Sequence, residues 1–266
     1  MDSDGKLVRL SVSVDLHCHI LPRLDDGPPS IEESDQQASA HLAAGVSAVV
    51  ATPHVRGDLP QNTSRMIEAA TVALRLHLAR RDIPLAIHSG AEVDLAHACD
   101  LDDVELGALT IAGRRWLLVE APLSRRPTDA EVLLGLLRSR GHQLVIAHPE
   151  RCPQFQRRPE SLRSLVAGGA LTQITASALD GAFGTTARNY ARWMLEERLA
   201  HVVASDAHDT RARPPGVRAS LAAAGAKHLE GWLTDEAPAA IVAGADSVPP
   251  PPALNRRGLR RLRRAA

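Results

Sequence analysis

Leu10-Ser-Val-Ser-Val-Asp-Leu-His-Cys-His19 is the stretch that decides the fold. It begins as a short apolar-rich run of strand character, near 10–16, and it ends in two histidines. Alternation along a strand places His17 and His19 on one face, where two imidazoles can share a cation, and turns Cys18 to the opposite face as core packing. The pattern then recurs. Further strands are predicted near 46–52, 84–91, 115–120, 142–147, 171–175 and 200–205, separated by helices near 30–44, 61–81, 128–140, 159–168, 185–198 and 216–230. Gly45, Gly141 and Gly168 fall where helices should end. Seven strands alternating with about as many helices predict an α/β barrel, with residues 12–248 as one domain after an N-terminal extension, 1–11.

The polar residues cluster at the C-terminal ends of these strands, where barrel enzymes assemble their sites. Strand two ends in Ala51-Thr-Pro-His54, strand three in Gly90-Ala-Glu92, strand four in Val119-Glu-Ala-Pro122. Strand five ends in Ala147-His-Pro-Glu-Arg151 and the last strand in Ala204-Ser-Asp-Ala-His208. With Asp25 or Asp26 just after strand one, the candidate ligands are His17, His19, Asp25, Asp26, His54, Glu92, Glu120, His148, Asp206 and His208. About nine nitrogen and oxygen donors exceed the needs of one tetrahedral ion and imply two or three. Imidazole and carboxylate without thiolate suits Mn, Fe or Zn and argues against copper and iron–sulfur chemistry. His41, His77, His88, His97, His142, His201 and His228 are read as surface or hydrogen-bonded core residues.

Composition sets the outer limits. Of 266 residues 44% are hydrophobic, yet only three Trp, two Phe and one Tyr occur, so the core must be aliphatic. Lys plus Arg and Asp plus Glu both total 31, which gives no reason to expect a nucleic-acid partner. Six of the bases are arginines in 251–266, a segment without acids; residues 249–266 therefore read as a Pro-rich linker and a mobile Arg-rich tail that could meet an acidic or anionic-lipid partner. Three scattered cysteines and no signal-like or membrane-spanning run point to the cytoplasm, with recruitment to the inner membrane face open.

In order, DLHCHILPRLDDG (15–27), ATPH (51–54), GAE (90–92), EAP (120–122), AHPER (147–151) and ASDAH (204–208) resemble the polymerase and histidinol phosphatase (PHP) superfamily. More narrowly they are similar to the CpsB/CapC-type bacterial tyrosine phosphatases of capsule loci. The resemblance implies a distorted seven-stranded barrel, (β/α)7, and two or three metal ions, usually manganese. It implies hydrolysis of phosphotyrosine on a polysaccharide-export tyrosine kinase, by water ionised at the metals. One ion would use His17, His19, Glu92 and Asp206; a second would share Glu92 and add Glu120 and His148; a third would take Asp25 or Asp26, His54 and His208. Arg151 and Arg213, placed just after ligands, are the candidates to bind phosphate oxygens, and Asp26 is a further catalytic candidate. Arg23 stands where such sequences often place Gly.

Three other readings compete. Cys152-Pro-Gln-Phe-Gln-Arg-Arg158 matches the C-x5-R pattern of thiolate phosphatases, but Pro153 lacks an N–H and the stretch has no Gly with which to wrap a phosphate. Amidohydrolase barrels also begin with HxH, yet they commonly bridge metals through a lysine, and this chain has only Lys6 and Lys227. A small-molecule phosphatase of the histidinol-phosphate kind and a non-catalytic metal-binding regulatory barrel are the remaining alternatives.

Overall fold

The computed structural model describes residues 13–124 and 129–253. The extension 1–11 and the Arg-rich segment from Leu254 onward, with the partner expected for it, lie outside the described residues.

Nine strand segments form: β1 (Val14–Cys18), β2 (Ala48–Ala51), β3 (His54–Val55), β4 (Ala86–Ser89), β5 (Glu92–Asp94), β6 (Trp116–Glu120), β7 (Gln143–Ala147), β8 (Leu171–Thr175) and β9 (Val202–Ala204). Every pairing is parallel, in sheets ordered β1-β2-β4 and β3-β5-β6-β7-β8-β9. The two additional segments, β3 and β5, extend two expected strands past their predicted ends at 52 and 91, each after a break. Pro53, which has no N–H to give a ladder, separates β2 from β3. Gly90-Ala91 separates β4 from β5, and at Gly90 a Cβ would lie 2.8 Å from Val50 Cγ1. Pairing resumes with the same neighbour, from Ala51↔Ser89 to His54↔Glu92. At the other edge the Asp206 N–H donates to the His17 carbonyl at 2.9 Å and the His19 N–H to the Ala207 carbonyl at 2.8 Å, which joins the end of β9 to β1.

Alternation sorts the strand residues into two apolar layers. Leu16, Val50, Leu118, Val145, Leu171 and Val202 pack together on one side of the strands. Val49, Ile87, Leu117, Val119, Ile146 and Val203 face the other way, toward helix residues such as Leu74, Leu134 and Leu195. Cys18 is buried in this second layer, opposite its flanking histidines. The core is aliphatic, as the composition requires.

Five expected helices form within a few residues of their predicted ends: Ile31–Ala43, Ser64–Arg80, Ala130–Ser139, Pro159–Ala167 and Gly184–Glu196. Ser30, Thr63 and Asp129 cap the first three by accepting from backbone N–H groups. The sixth, expected over 216–230, is instead a short helix Arg218–Ala223 and a 3₁₀ turn Lys227–Leu229. The helix Pro159–Ala167 stops at Gly168 as expected, but the left-handed residue is the next one: Gly168 keeps φ −79°, and Gly169 takes φ 101°. No helix among the described residues is long and apolar enough to cross a membrane.

Candidate metal centre

The centre begins at the end of β1, where the register against β2 shifts between Asp15 and Cys18. His17 Nε2 and His19 Nε2 point at one another, 3.3 Å apart. Glu92 Oε2 lies 3.3 Å and 3.4 Å from them, and Asp206 Oδ1 lies 3.5 Å from each. Donors about 2.1 Å from an ion at tetrahedral angles stand roughly 3.4 Å apart, so His17, His19 and Glu92 have the spacing of a metal's ligands, while Asp206 meets both imidazoles but falls outside that group. Glu92 Oε2 is buried without a hydrogen-bond partner. Such an orphan costs folding energy unless a cation meets it.

The remaining donors extend outward from Glu92. Its Oε1 is 2.7 Å from His148 Nε2, which lies 3.7 Å from Glu120 Oε1. His54 faces two ways, with Nδ1 3.0 Å from Glu92 Oε2 and Nε2 3.6 Å from Asp26 Oδ1. His208 Nε2 approaches the same Asp26 oxygen at 3.3 Å. Three groups of candidate ligands emerge among the described residues: His17–His19–Glu92, His54–Glu92–Glu120 and His19–Asp26–His54–His208. Compared with the sharing expected from sequence, His54 joins Glu92 and Glu120, and His19 also reaches the outer group.

Asp25 lies outside all three groups, as do His148 and Asp206. The Asp25 Oδ2 accepts from His19 Nδ1 at 2.7 Å and from the His54 N–H at 2.9 Å, and its Oδ1 accepts from the Gly27 N–H at 2.9 Å. Gln173 on β8 plays the same part for His17, accepting from Nδ1 at 3.0 Å, and also takes the His148 N–H at 3.2 Å. Committing Nδ1–H to these acceptors leaves Nε2 of His17 and His19 free to ligate. Gly27 closes the Asp25-Asp26-Gly27 turn where a Cβ would meet the His19 carbonyl at 2.7 Å. The backbone is strained at two candidate ligands, His148 (φ 28°) and Asp206 (φ 54°). Arg23, at φ 64°, holds the left-handed geometry that favours Gly there, and its Nε donates outward to the Pro29 carbonyl.

Electrostatics show how much positive charge the centre needs. Burial opposes charging of His17 and His19, yet Glu92 and Asp206 hold His17 above its ordinary range, and Asp206, Asp25 and Glu92 do the same for His19. Burial likewise works against the Asp206 carboxylate, but His17 and His19 carry it far below the usual value. Asp26 is also lowered, chiefly by its hydrogen bond with His208. Burial and then the neighbouring Glu92 push Glu120 up to about 7. Protons stand in here for a cation's charge.

Two guanidinium groups meet at the rim. Arg151 Nη1 and Arg213 Nη2 both donate to Asp206 Oδ2, at 3.0 Å and 2.6 Å, and Arg213 Nη1 lies 2.8 Å from His208 Nε2. Arg151 also stacks on Phe183, its Cζ 4.3 Å from the ring centroid.

Several supporting residues escaped the sequence reading. Gln173 lies in β8, Leu-Thr-Gln-Ile-Thr, a strand that delivers no candidate ligand and whose polar residues gave no signal. Glu150, fully buried and pushed up to about 7 by that burial, accepts the Thr175 N–H at 2.9 Å. His41, expected on the surface or hydrogen-bonded, is instead buried 3.5 Å from Asp15 with neither ring nitrogen in a hydrogen bond. The thiolate reading of Cys152 fails on geometry. Cys152 is buried, burial raises its thiol, and the residues after it form the helix Pro153–Arg157 rather than a loop around an anion.

Parallel strands with a histidine–carboxylate centre gathered at their C-terminal ends define an α/β protein of the metallohydrolase class. The chain belongs to the CpsB/CapC family: a family model described as "Capsular polysaccharide synthesis, CpsB/CapC" matches residues 13–235. It is 34% identical over 200 residues to tyrosine-protein phosphatase YwqE of Bacillus subtilis, covering 75% of this chain and 79% of that one. It is 33% identical over 203 residues to the putative tyrosine-protein phosphatase CapC of Staphylococcus aureus, covering 76% and 79%. Among solved structures it is similar to one described with YwqE of Bacillus subtilis and CpsB of Streptococcus pneumoniae as unique metal-dependent tyrosine phosphatases. That match has a TM-score of 0.75 at 30% identity and covers 92% of this chain and all of the other.

Proposed function

We propose that the protein is a metal-dependent phosphomonoester hydrolase that removes phosphate from tyrosine, with a capsule-type tyrosine kinase as its substrate. The observation that carries this is the meeting of Arg151 and Arg213 on one carboxylate oxygen, at the rim of a cluster of buried and partly orphaned metal donors. We read the fold as a distorted barrel of seven strands, with β2/β3 and β4/β5 each one strand broken in the middle. Two or three ions are held, by His17, His19, Glu92 and Asp206; by Glu92, Glu120, His148 and His54; and by Asp26, His54 and His208. Asp26 is the ligand and Asp25 its support. The absence of thiolate from this donor set suits manganese, with iron or zinc as alternatives. When bound, the ions supply a nucleophile at neutral pH and charge to hold a phosphate oxygen. Arg151 and Arg213 then bind the remaining oxygens through their planar forks. Three free thiols support a reducing compartment, the cytoplasm.

The test compares a phosphotyrosyl peptide with histidinol phosphate, using protein stripped by chelator and protein reloaded with Mn. Turnover of the peptide that vanishes on stripping, returns with Mn and exceeds turnover of histidinol phosphate is the expected result. Activity indifferent to chelator would refute metal dependence, and preference for histidinol phosphate would move the protein to the small-molecule class. Bound metal without turnover of either would leave a regulatory barrel.

A further inference from the structure

Phe183 occupies a position that local structure alone does not explain. It is the N-cap residue of the helix Gly184–Glu196 but supplies no side-chain hydrogen bond, where Ser, Thr, Asp or Asn would satisfy an otherwise unpaired N–H. Gly181 (φ 92°) and Gly184 (φ 88°) bracket it in a turn whose left-handed positions side-chain-bearing residues rarely adopt, while Phe183 itself keeps φ −104°. That turn sets the ring against the Arg151 guanidinium, 4.3 Å from centroid to Cζ, while Arg151 Nη1 holds Asp206 Oδ2 at 3.0 Å. Aromatic residues are scarce, and the other five are used elsewhere. Trp116 and Phe155 are buried, Tyr190 and Trp193 pack on each other at 4.8 Å, and Trp232 packs against the core. Phe183 also packs against the core but is only partly buried, so that part of its ring stays exposed while its face meets Arg151.

The chemistry of an aryl phosphate fits this placement. A phosphate oxygen that accepts from Arg151 at about 2.9 Å leaves the ester oxygen and the first ring carbon within a few ångströms of the same guanidinium. A ring stacked on that guanidinium is then close enough for the edge or offset contact that aromatic pairs prefer, with centroids roughly 4.5–7 Å apart. An alkyl phosphate has nothing to place there.

We propose that Phe183 is the specificity residue of this site: its ring forms a wall for the substrate's aromatic ring and selects aryl over alkyl phosphomonoesters. This rests on the tyrosine phosphatase reading and narrows it to a side chain. The test uses Mn-loaded protein and two non-hydrolysable competitors of p-nitrophenyl phosphate turnover, phenylphosphonate and methylphosphonate. Wild type should bind phenylphosphonate more tightly. Phe183→Leu should shrink that preference by about three- to tenfold, and Phe183→Tyr should keep it, because the ring and not its bulk makes the contact. A structural role alone would weaken both competitors together and leave their ratio unchanged. A wild type without preference, or an unchanged ratio in Phe183→Leu, overturns the proposal; if the Leu variant does not fold, Phe183→Met carries the same comparison. Wild-type protein that turns over no aryl phosphate with any metal defeats the phosphatase reading itself, a separate outcome.

Discussion

The two ends of the same parallel strands are equally buried and built on opposite principles. Toward the N-terminal ends, Trp116, Leu171 and Val202 lie with Leu16 and Leu118 in an apolar layer, and the Trp116 indole N–H donates to the Ala245 carbonyl at 2.9 Å. Toward the C-terminal ends, the buried residues are His17, His19, Glu92, His148 and Asp206, with Glu92 Oε2 and His148 Nδ1 unpartnered. Burial stabilises the first set, at about 25 cal/mol per Å² of apolar surface. In the second set the same burial is a cost, which bound cations would offset and which the apolar end must otherwise sustain. Stability and chemistry should therefore separate along the strand axis.

The largest effect that could break this comparison comes from Glu92→Gln. Both Glu92 oxygens are engaged, Oε2 beside His17, His19 and His54 and Oε1 beside His148, so one substitution disturbs more than one group of ligands. We expect the loss of at least one bound ion and a fall in kcat/KM of about a thousandfold or more, on the order of 4 kcal/mol of transition-state stabilisation. The metal-free variant should also unfold earlier than metal-free wild type, because against the cost of burial His17 and His148 hold the Glu92 carboxyl well below its usual range, and removing one partner leaves buried imidazoles unpaired. Normal metal content by elemental analysis would show that Glu92 is not a ligand.

At the other end, Leu171→Ala, at the start of β8, removes a buried side chain from the apolar layer. The cavity should cost roughly 2–5 kcal/mol in denaturant unfolding. Metal content and turnover per folded molecule should stay at wild-type levels well below the melting temperature. Loss of metal from the folded variant would show that the two ends are coupled, and the separation would fall.

The C-terminal end was the more legible of the two because its chemistry concentrates in short strings. His17 and His19 one pleat apart, and a carboxylate or imidazole after nearly every later strand, locate the centre without coordinates. Whether Asp25 or Asp26 faces it was not legible, because adjacent residues in a turn have no period to assign them. Gln173 was missed because its task is to orient His17, and neutral amides carry no motif. In the fold, β3 and β5 were missed because they are only two and three residues long and mostly polar, His-Val and Glu-Val-Asp, so no apolar run marks them. The helices Leu95–Asp100, Asp103–Ala108 and Ala237–Val242 are six residues each, less than two turns, too short for an amphipathic period to show.

The smallest effect concerns single histidines in opposite surroundings. His17 and His19 are held above the ordinary imidazole range by carboxylates, whereas His201, just before β9, is pushed down to about 4 by burial. Its Nδ1 accepts the Thr172 N–H at 3.2 Å, which fixes it as a neutral ring. Because its folded value lies below the unfolded one, near 6.5, the unfolded chain binds the extra proton first. The stability tied to the neutral ring is therefore complete above about pH 7 and is lost as pH falls from 6.5 toward 4. His201→Asn, which can still accept from Thr172, should flatten this dependence. Between about pH 8 and pH 5 the metal-free variant should lose about 2 kcal/mol less than metal-free wild type in urea unfolding. Titration of the metal ligands is common to both proteins and cancels in the difference. Parallel curves would mean that the apolar end tolerates a charged imidazole, and the contrast between the two ends would then rest on the metal centre alone.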